Sequence, residues 1–178
     1  FNVDEIPAIF DLIEERDIPR ICFYHLVYAG RGSELVKDDL THEETRRAVD
    51  LIMDRTRDLH DRGIDKEVLT VDNHADGPYL YLRMRQENPE RAEEVLDLLK
   101  MNEGNNSGRG FGCISWNGEI HADQFWRHHS FGNVRNRPFS EIWTDVSEPL
   151  MEKLKDKKPH VKGRCAECVW LDVCAGNF

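Results

Sequence analysis

The sequence has little positive charge and no long hydrophobic run. Of its 178 residues, 24 are Lys or Arg and 34 are Asp or Glu, which gives a formal net charge of −10. A nucleic-acid-binding surface needs clustered cations, so this balance argues against a nucleic-acid partner. No uncharged apolar segment reaches the roughly 18 residues that a membrane span requires, which argues against a membrane partner. The hydrophobic fraction of 39% is still enough to form a folded core.

Both ends of the sequence lack the features expected of a complete protein. It starts at Phe1 without an initiator Met or a targeting peptide, and it ends at Phe178 soon after a group of cysteines. We therefore expect a segment of a longer protein. There are five cysteines, an odd set that fits a reducing compartment better than a disulfide framework. Without a secretion signal, this predicts a cytoplasmic location.

The hydrophobic pattern predicts alternating helices and strands in the first part of the chain. Helices are expected at 3–16, 41–62 and 89–101, and strands at 21–28 and 67–71. Thr41-His-Glu-Glu44 has the spacing of a capping box, and Gly63 would end the helix that starts there. The continuous apolar run of the first strand predicts burial on both faces, as in a parallel sheet. This order of elements implies part of an α/β layer structure.

The composition changes at Asn102, where a turn-rich linker marks the best domain boundary. We therefore divide the chain into 1–101 and 102–178. In the second part, two apolar segments flank Asn117-Gly118, which predicts a hairpin with a two-residue turn. Two short helices are expected at 138–143 and 145–156, before an irregular cysteine-rich end.

Cys165-x2-Cys168-x5-Cys174 is the strongest chemical signal in the sequence. Three closely spaced thiolates form a soft site that suits an iron–sulfur cluster or zinc and does not suit calcium or magnesium. We favour an iron–sulfur cluster. The identity of the fourth ligand is not fixed by the sequence, and the candidates are His160, Cys113 or a cysteine further along the chain. The alternative is three buried, reduced cysteines, which the polar surrounding sequence disfavours.

The cysteine motif, the hairpin and Phe131-Gly-Asn-Val-Arg-Asn-Arg-Pro-Phe-Ser-Glu-Ile-Trp143 together resemble the C-terminal SPASM or twitch extension of radical SAM enzymes. The full pattern of that extension holds auxiliary iron–sulfur clusters. This chain has Asp123, Phe178 and a residue near Asn106 at three positions where the pattern has cysteine. All three departures remove ligands of the same cluster.

The resemblance therefore implies one auxiliary [4Fe-4S] cluster, with Cys165, Cys168 and Cys174 as ligands. It also implies an α/β fold in which 1–101 contain the last βα units of a partial (β/α)6 TIM barrel and connecting helices. Residues 102–178 would form the small cysteine-rich SPASM/twitch-like domain, with its β-hairpin and short helices.

Softer motifs narrow the resemblance to the radical SAM enzymes of heme and heme d1 biosynthesis from siroheme. They are Tyr28-Ala-Gly-Arg-Gly32, Asn105-Asn-Ser-Gly108 and His121-Ala-Asp-Gln-Phe-Trp126. Such enzymes remove acetate or propionate side chains from a tetrapyrrole similar to didecarboxysiroheme, by 5′-deoxyadenosyl-radical chemistry. An electron donor such as ferredoxin or flavodoxin is implied as a partner.

The sequence has no Cys-x3-Cys-x2-Cys loop for the cluster that binds S-adenosylmethionine. The resemblance implies that this loop and its [4Fe-4S] cluster precede Phe1, so this segment would be inactive alone. Two alternatives stay open. One is a peptide-modifying radical SAM enzyme, which would usually keep the cysteines of both auxiliary clusters. The other is a zinc-knuckle interaction domain with His160 as the fourth ligand.

A tetrapyrrole carries several carboxylates on a flat macrocycle, so arginine, histidine and aromatic residues are candidate binding residues. They are Arg31 in the loop after the first strand, and His121, Trp126, Arg127, His128 and His129 in and after the hairpin. Strand alternation would send half of the hairpin group into the core. We expect His25 to be a satisfied core histidine and Asp123 to form hydrogen bonds within the hairpin. No catalytic residue is assigned.

Overall fold

The structure is a computed structural model that describes residues 2–176. It divides into two compact units, with the division between Asp76 and Gly77. The first unit contains helices α1 (Ile6–Glu15) and α2 (His42–Asp61) and strands β1 (Arg20–Tyr24) and β2 (Glu67–Val71). Helix α3 (Asp76–Glu87) starts at the division, and the second unit continues with α4 (Pro89–Asn102), β3 (Cys113–Ile114), β4 (Ile120–His121), α5 (Phe139–Trp143), α6 (Pro149–Lys155) and α7 (Leu171–Cys174). No helix among the described residues is both long and apolar enough to cross a membrane.

The first unit is a βαβ arrangement with an additional N-terminal helix. Strands β1 and β2 pair in parallel, from Arg20 opposite Glu67 to Tyr24 opposite Val71, and α2 lies between them in the sequence. Apolar residues of α1 and α2 recur at helical spacing and share one buried cluster. The members of this cluster are Ile6, Phe10, Ile13, Ile52 and Leu59. The ring of Phe10 stacks on Phe23 of β1, with 5.4 Å between centroids.

Helix α2 begins and ends as its sequence predicts. The backbone N–H of Thr41 donates to the Glu44 carboxylate at 2.8 Å, and the Glu44 N–H donates to Thr41 Oγ1 at 3.3 Å. This is the reciprocal capping box. At the other end Gly63 has φ +75°, a left-handed conformation that glycine adopts without a Cβ clash.

Strand β1 is shorter than predicted, and the expectation that it is buried on both faces is wrong. The pairing ends at Tyr24, which is 70% exposed. After it, Gly30–Asp38 form a 3-10 helix that was not predicted. Beyond the strand, the chain turns back on itself at Gly32, whose N–H donates to the Ala29 carbonyl at 3.0 Å. A Cβ on Gly32 would lie 2.0 Å from the Val27 carbonyl oxygen, so only glycine fits there. Among the described residues this sheet contains only β1 and β2, so the partial barrel stays an implication of the resemblance.

Helices α3 and α4 belong to the second compact unit, and α3 was not predicted. Asn88 caps α4, because its side chain accepts a hydrogen bond from the Arg91 N–H, and Pro89 occupies the first turn. The sequence-based boundary at 101/102 marks the start of the turn-rich linker rather than the division between compact units, and stays a prediction about domain organisation.

The hairpin of the second unit turns one residue earlier than predicted. The Gly118 N–H donates to the Ser115 carbonyl at 2.9 Å, which places Trp116 and Asn117 at the centre of the turn. Gly118 follows with φ +89°, the left-handed position of a three-residue loop that ends in a bulge. The strands pair Cys113 with His121 and Ile114 with Ile120. As a result Trp116 lies in the turn, where it is 81% exposed, and not in a strand.

Candidate functional site

The three cysteines of the predicted metal site lie in consecutive tight turns near the end of the second unit. The Cys168 N–H donates to the Cys165 carbonyl at 3.2 Å, and the Leu171 N–H donates to the Cys168 carbonyl at 3.1 Å. Cys174 is the last residue of α7. Cys165 and Cys168 are exposed and Cys174 is partly buried. This exposure contradicts the alternative in which all three thiols are buried in a core.

The chemistry of these thiols fits an iron–sulfur group. Exposed sulfurs are accessible to iron, and thiolate is the usual ligand of such clusters. The Gly176 N–H donates to Cys174 Sγ at 3.3 Å, the type of hydrogen bond that tunes cluster sulfurs. Within residues 2–176, no three His, Cys, Asp or Glu side chains already form a group that could hold a metal ion. Ligation by Cys165, Cys168 and Cys174 therefore stays a prediction.

The linker after α4 is packed tightly against the end of α7. A Cβ on Gly104, which has φ +58°, would lie 2.3 Å from the Cys174 carbonyl carbon, so no other residue fits without a shift. The next residue, Asn105, donates its N–H to the Cys174 carbonyl at 3.0 Å. This contact fixes the backbone of Cys174 to the linker.

A buried lysine holds the same linker from the other side. Lys157 is 5% exposed, and its ammonium donates to the Asn105 carbonyl at 2.7 Å and to Asn105 Oδ1 at 3.0 Å. Burial, and next the positive charge of Arg109, lower the pKa of Lys157 to about 8. The sequence pattern does not indicate that Lys157 is buried, because a lysine in a charged stretch is normally solvated.

Asp123 forms hydrogen bonds within its own loop, as expected. Its Oδ1 accepts the backbone N–H groups of Phe125 at 2.6 Å and Trp126 at 3.1 Å. The residue is 6% exposed. At a position where the full SPASM pattern has a cysteine ligand, this chain therefore has a carboxylate that stabilises a turn by accepting hydrogen bonds. Phe178, another departure from that pattern, lies outside the described residues.

Four residues around the hairpin, of which Trp126 is partly buried and the others are exposed, form two ring contacts. The guanidinium carbon of Arg127 lies 4.5 Å from the centre of the Trp116 ring, a cation–π distance. Arg127 makes no ion pair with any described residue. Beside it, the rings of Trp126 and His128 lie 5.1 Å apart at 32°. We call Trp116, Trp126, Arg127 and His128 the hairpin face.

The other two predicted histidines of this region pack into the fold, and the Nε2 of His129 is buried without a hydrogen-bond partner among the described residues. His121 is 3% exposed, and its Nδ1 donates to the His129 carbonyl at 2.6 Å. His129 packs edge-on against Phe131, and its Nε2 lies 3.6 Å from a Glu148 carboxylate oxygen. The expectation that strand alternation would bury part of the group thus fits His121.

In the first unit, Arg31 lies on the exposed 3-10 helix after β1 and has no hydrogen bond or ion pair with a described residue. His25, the residue after β1, does have a partner. Its Nε2 donates to the Asp76 carboxylate at 2.8 Å, and the two side chains are 22% and 12% exposed. His25 is therefore satisfied, as expected, but it lies at the end of the strand and reaches solvent.

Comparison with known proteins identifies the domain that contains most of these residues. Residues 107–169 match the SPASM family, described as an iron–sulfur cluster-binding domain. Residues 107–169 form a SPASM domain. It contains the hairpin face and Asp123, together with Cys165 and Cys168 of the cysteine motif. The resemblance drawn from the sequence is thereby confirmed.

Relatives of the whole chain are enzymes of heme biosynthesis. The chain is 68% identical to Fe-coproporphyrin III synthase of Methanosarcina barkeri, over 99% of this chain and 45% of that protein. It is 35% identical to pre-heme d1 synthase of Dinoroseobacter shibae, over 99% of this chain and 44% of that protein. An AdoMet-dependent heme synthase of M. barkeri is 26% identical over 98% of the chain and 47% of its own length. The chain thus spans less than half the length of these relatives. No solved structure matches it.

Trp116 belongs to the exposed surface of the SPASM domain but was not among the predicted binding residues. The Asn117-Gly118 pair suggested a two-residue turn, which would have placed Trp116 in a strand. The signal that could have found it is the glycine itself, because a three-residue loop also ends in a left-handed glycine.

Proposed function

We propose that this chain is part of a radical SAM enzyme of heme or heme d1 biosynthesis. The enzyme removes acetate or propionate side chains from a siroheme-derived tetrapyrrole similar to didecarboxysiroheme. The observation that carries this proposal is the 68% identity to Fe-coproporphyrin III synthase over 99% of the chain. The SPASM domain supports it independently, because its described function is to bind an iron–sulfur cluster.

The exposed hairpin face supports a tetrapyrrole as the substrate. A guanidinium without a carboxylate partner pairs well with a carboxylate of the substrate, and Arg127 is held in place by the Trp116 ring. Indole and imidazole rings offer flat surfaces to a macrocycle. In this proposal Arg127, Trp126 and His128 contact the substrate. His121 and His129 shape the loop behind them, and Arg31 is a further carboxylate partner in the first unit.

Cys165, Cys168 and Cys174 hold one auxiliary [4Fe-4S] cluster in this proposal. Gly104 and Asn105 fix the backbone of Cys174, so the third ligand is positioned by the linker as well as by α7. When bound in the part of the enzyme outside this chain, S-adenosylmethionine and a second cluster would supply radical chemistry at the substrate side chain. A cytoplasmic ferredoxin or flavodoxin provides the electron.

Turnover by the full-length enzyme tests the function. The protein is purified anaerobically and mixed with S-adenosylmethionine, dithionite and didecarboxysiroheme. We expect 5′-deoxyadenosine together with a tetrapyrrole that has lost side chains, both followed by mass spectrometry. Cleavage of S-adenosylmethionine that depends on a peptide and not on the tetrapyrrole would contradict the proposal and favour the peptide-modifying alternative.

Iron content tests the cysteine assignment separately from turnover. Replacing Cys165 or Cys168 with serine should lower the content by about four iron atoms per chain, the content of one [4Fe-4S] cluster. Cys22→Ser is the matched control, because Cys22 lies in β1 of the first unit and should leave the iron content unchanged. A colourless protein that retains zinc would favour the zinc-knuckle alternative.

Substitution of Arg127 tests the substrate surface. Arg127→Gln removes the charge and should weaken binding of didecarboxysiroheme by about tenfold or more, because hydrogen bonds to charged groups contribute about 1.5–3 kcal/mol. Arg135→Gln removes an exposed arginine elsewhere in the SPASM domain and should have no such effect. Equal affinity of the two variants would remove Arg127 from the site.

A further inference from the structure

A partly buried histidine–aspartate pair lies at the carboxyl ends of the two parallel strands of the first unit. His25 directly follows β1, and its N–H donates to the carbonyl of Val71, the last residue of β2, at 3.0 Å. Asp76 begins α3, five residues after β2 ends. In parallel α/β structures this edge of the sheet is where ligands bind. The pair is therefore placed where a functional group is expected.

One nitrogen of the histidine is left for a ligand. Nε2 is engaged by Asp76 at 2.8 Å, which fixes the orientation of the ring and places the second proton of the charged ring on Nδ1. Nδ1 has no hydrogen-bond partner among residues 2–176, and the side chain is 22% exposed. A histidine that served only to tie β1 to α3 would not need an accessible second nitrogen.

The surroundings favour the charged form of this imidazole. The hydrogen bond that His25 donates to Asp76 is the largest cause that raises the pKa of His25; burial opposes it, and the negative charges of Asp76, Asp39 and Asp72 assist it. Asp39 itself is engaged, because it accepts hydrogen bonds from the Tyr28 hydroxyl at 2.5 Å and from the Leu40 N–H at 2.8 Å. The open group of this cluster is thus the donor on His25.

The backbone beside the pair adds a second indication. Asp72, the first residue after β2, has φ +71°, a left-handed conformation that is uncommon outside glycine. Such strain is concentrated at functional sites. It turns the chain sharply at the strand end and leads it to Asp76.

We propose that His25, oriented by Asp76, donates a hydrogen bond from Nδ1 to a carboxylate of the tetrapyrrole substrate. Asp76 is a positioning residue, and His25 is the residue that contacts the ligand. This inference rests on the proposed function, because the tetrapyrrole is the source of the carboxylate.

Binding of didecarboxysiroheme, with and without its iron, to the anaerobic full-length protein tests the pair. His25→Gln should weaken both ligands by about tenfold or more, the range for loss of a hydrogen bond from a charged donor. His42→Gln, at an exposed position in the first turn of α2, is the matched control and should bind as wild type does. A loss confined to the iron-containing ligand would indicate a metal ligand and overturn the proposal.

The dependence of affinity on pH separates a contact with substrate from a structural role. Wild-type affinity should be retained at low pH and fall as pH rises through the raised pKa of His25, since the charged donor is then lost. Asp76→Asn removes the group that raises this pKa, so the fall should move to lower pH. The affinity of His25→Gln should not fall in this way as the pH rises. Variants that keep wild-type affinity and pH profile but unfold more easily would assign the pair a structural role and overturn the inference alone. Absence of any binding by wild type would overturn the substrate class as well.

Discussion

Replacing Lys157 with methionine tests whether the interior of the SPASM domain contains a charged lysine. Lys157 is 5% exposed, and both hydrogen bonds of its ammonium go to Asn105, at 2.7 and 3.0 Å. No ion pair with a described residue compensates the charge. Asp123 attracts it, but burial and Arg109 outweigh this attraction and bring the pKa to about 8.

The shifted pKa fixes how stability must depend on pH. The folded pKa of Lys157 is about 8, against an ordinary value of 10.5. Between these values the unfolded chain binds more protons than the folded protein, so the free energy of unfolding must rise with pH. Each pH unit in this window contributes about 1.4 kcal/mol, so the total gain from pH 8 to 10.5 is about 3 kcal/mol. Below pH 8 the contribution of this group is constant.

Tryptophan fluorescence is a selective assay for the unit that contains Lys157. All four tryptophans, at 116, 126, 143 and 170, lie in the second unit. Urea unfolding at a series of pH values, under reducing anaerobic conditions, gives the stability of that unit for wild type and for Lys157→Met. The difference between the two proteins isolates this lysine, because the thiols and tyrosines titrate in both.

We expect the wild-type advantage over Lys157→Met to grow by about 3 kcal/mol from pH 8 to 10.5. Lys153→Met, at an exposed position of α6, should parallel wild type throughout. Curves for wild type and Lys157→Met that run parallel over this window would show that the lysine titrates normally, and would refute the argument from burial.

Three further substitutions test local features. Gly104→Ala should lower the iron content, because its Cβ would overlap the Cys174 carbonyl, whereas Gly63→Ala has the same left-handed backbone but open space, and should cost only about 1 kcal/mol of stability. Thr41→Ala removes the capping box and should destabilise the first unit by about 1 kcal/mol in urea unfolding followed by far-UV circular dichroism, while Glu43→Ala should change it by less than about 0.5 kcal/mol. Asp123→Ala leaves the Phe125 N–H without its acceptor, whereas the Trp126 N–H keeps the Asp123 carbonyl at 3.3 Å. This variant should destabilise the second unit by about 1–3 kcal/mol, and Asp123→Asn, which keeps an acceptor oxygen, should cost less.

Elements with a strong local signal were predicted well. Strand β2 lies at Glu67–Val71 as expected, and α2 starts after the Thr41 cap. The reason is that a capping box and an apolar run flanked by polar residues act within a few residues of the chain. Helix α3 was missed because its sequence, Asp76–Glu87, contains Gly77 and Pro78 near the start and has no clear apolar stripe. Its stability depends on packing with distant residues, such as the edge contact between Tyr81 and Trp170.

The part of the candidate site that consists of residues at fixed sequence spacing could be predicted. The part that depends on tertiary contacts could not. The cysteine motif could be found from three residue types at fixed intervals. The burial of Lys157 and the pairing of His25 with Asp76 could not, because their partners lie 52 and 51 residues away in the sequence. A motif defined by short sequence spacing cannot identify contacts between residues so far apart in the sequence. The same composition of charged residues is therefore compatible with a solvated surface or with a buried polar cluster.

The hairpin shows how one residue of register changes the functional surface. A turn centred on Asn117 and Gly118 would make Trp116 a strand residue. With Ser115 and Gly118 closing the turn instead, Trp116 is carried at its centre and is 81% exposed. An indole there can hold the Arg127 guanidinium by cation–π contact at 4.5 Å without burying either group. The left-handed Gly118 thus places Trp116 where it can hold Arg127, an arginine with no ion-pair partner among the described residues. A ligand that carries a carboxylate suits such an arginine best.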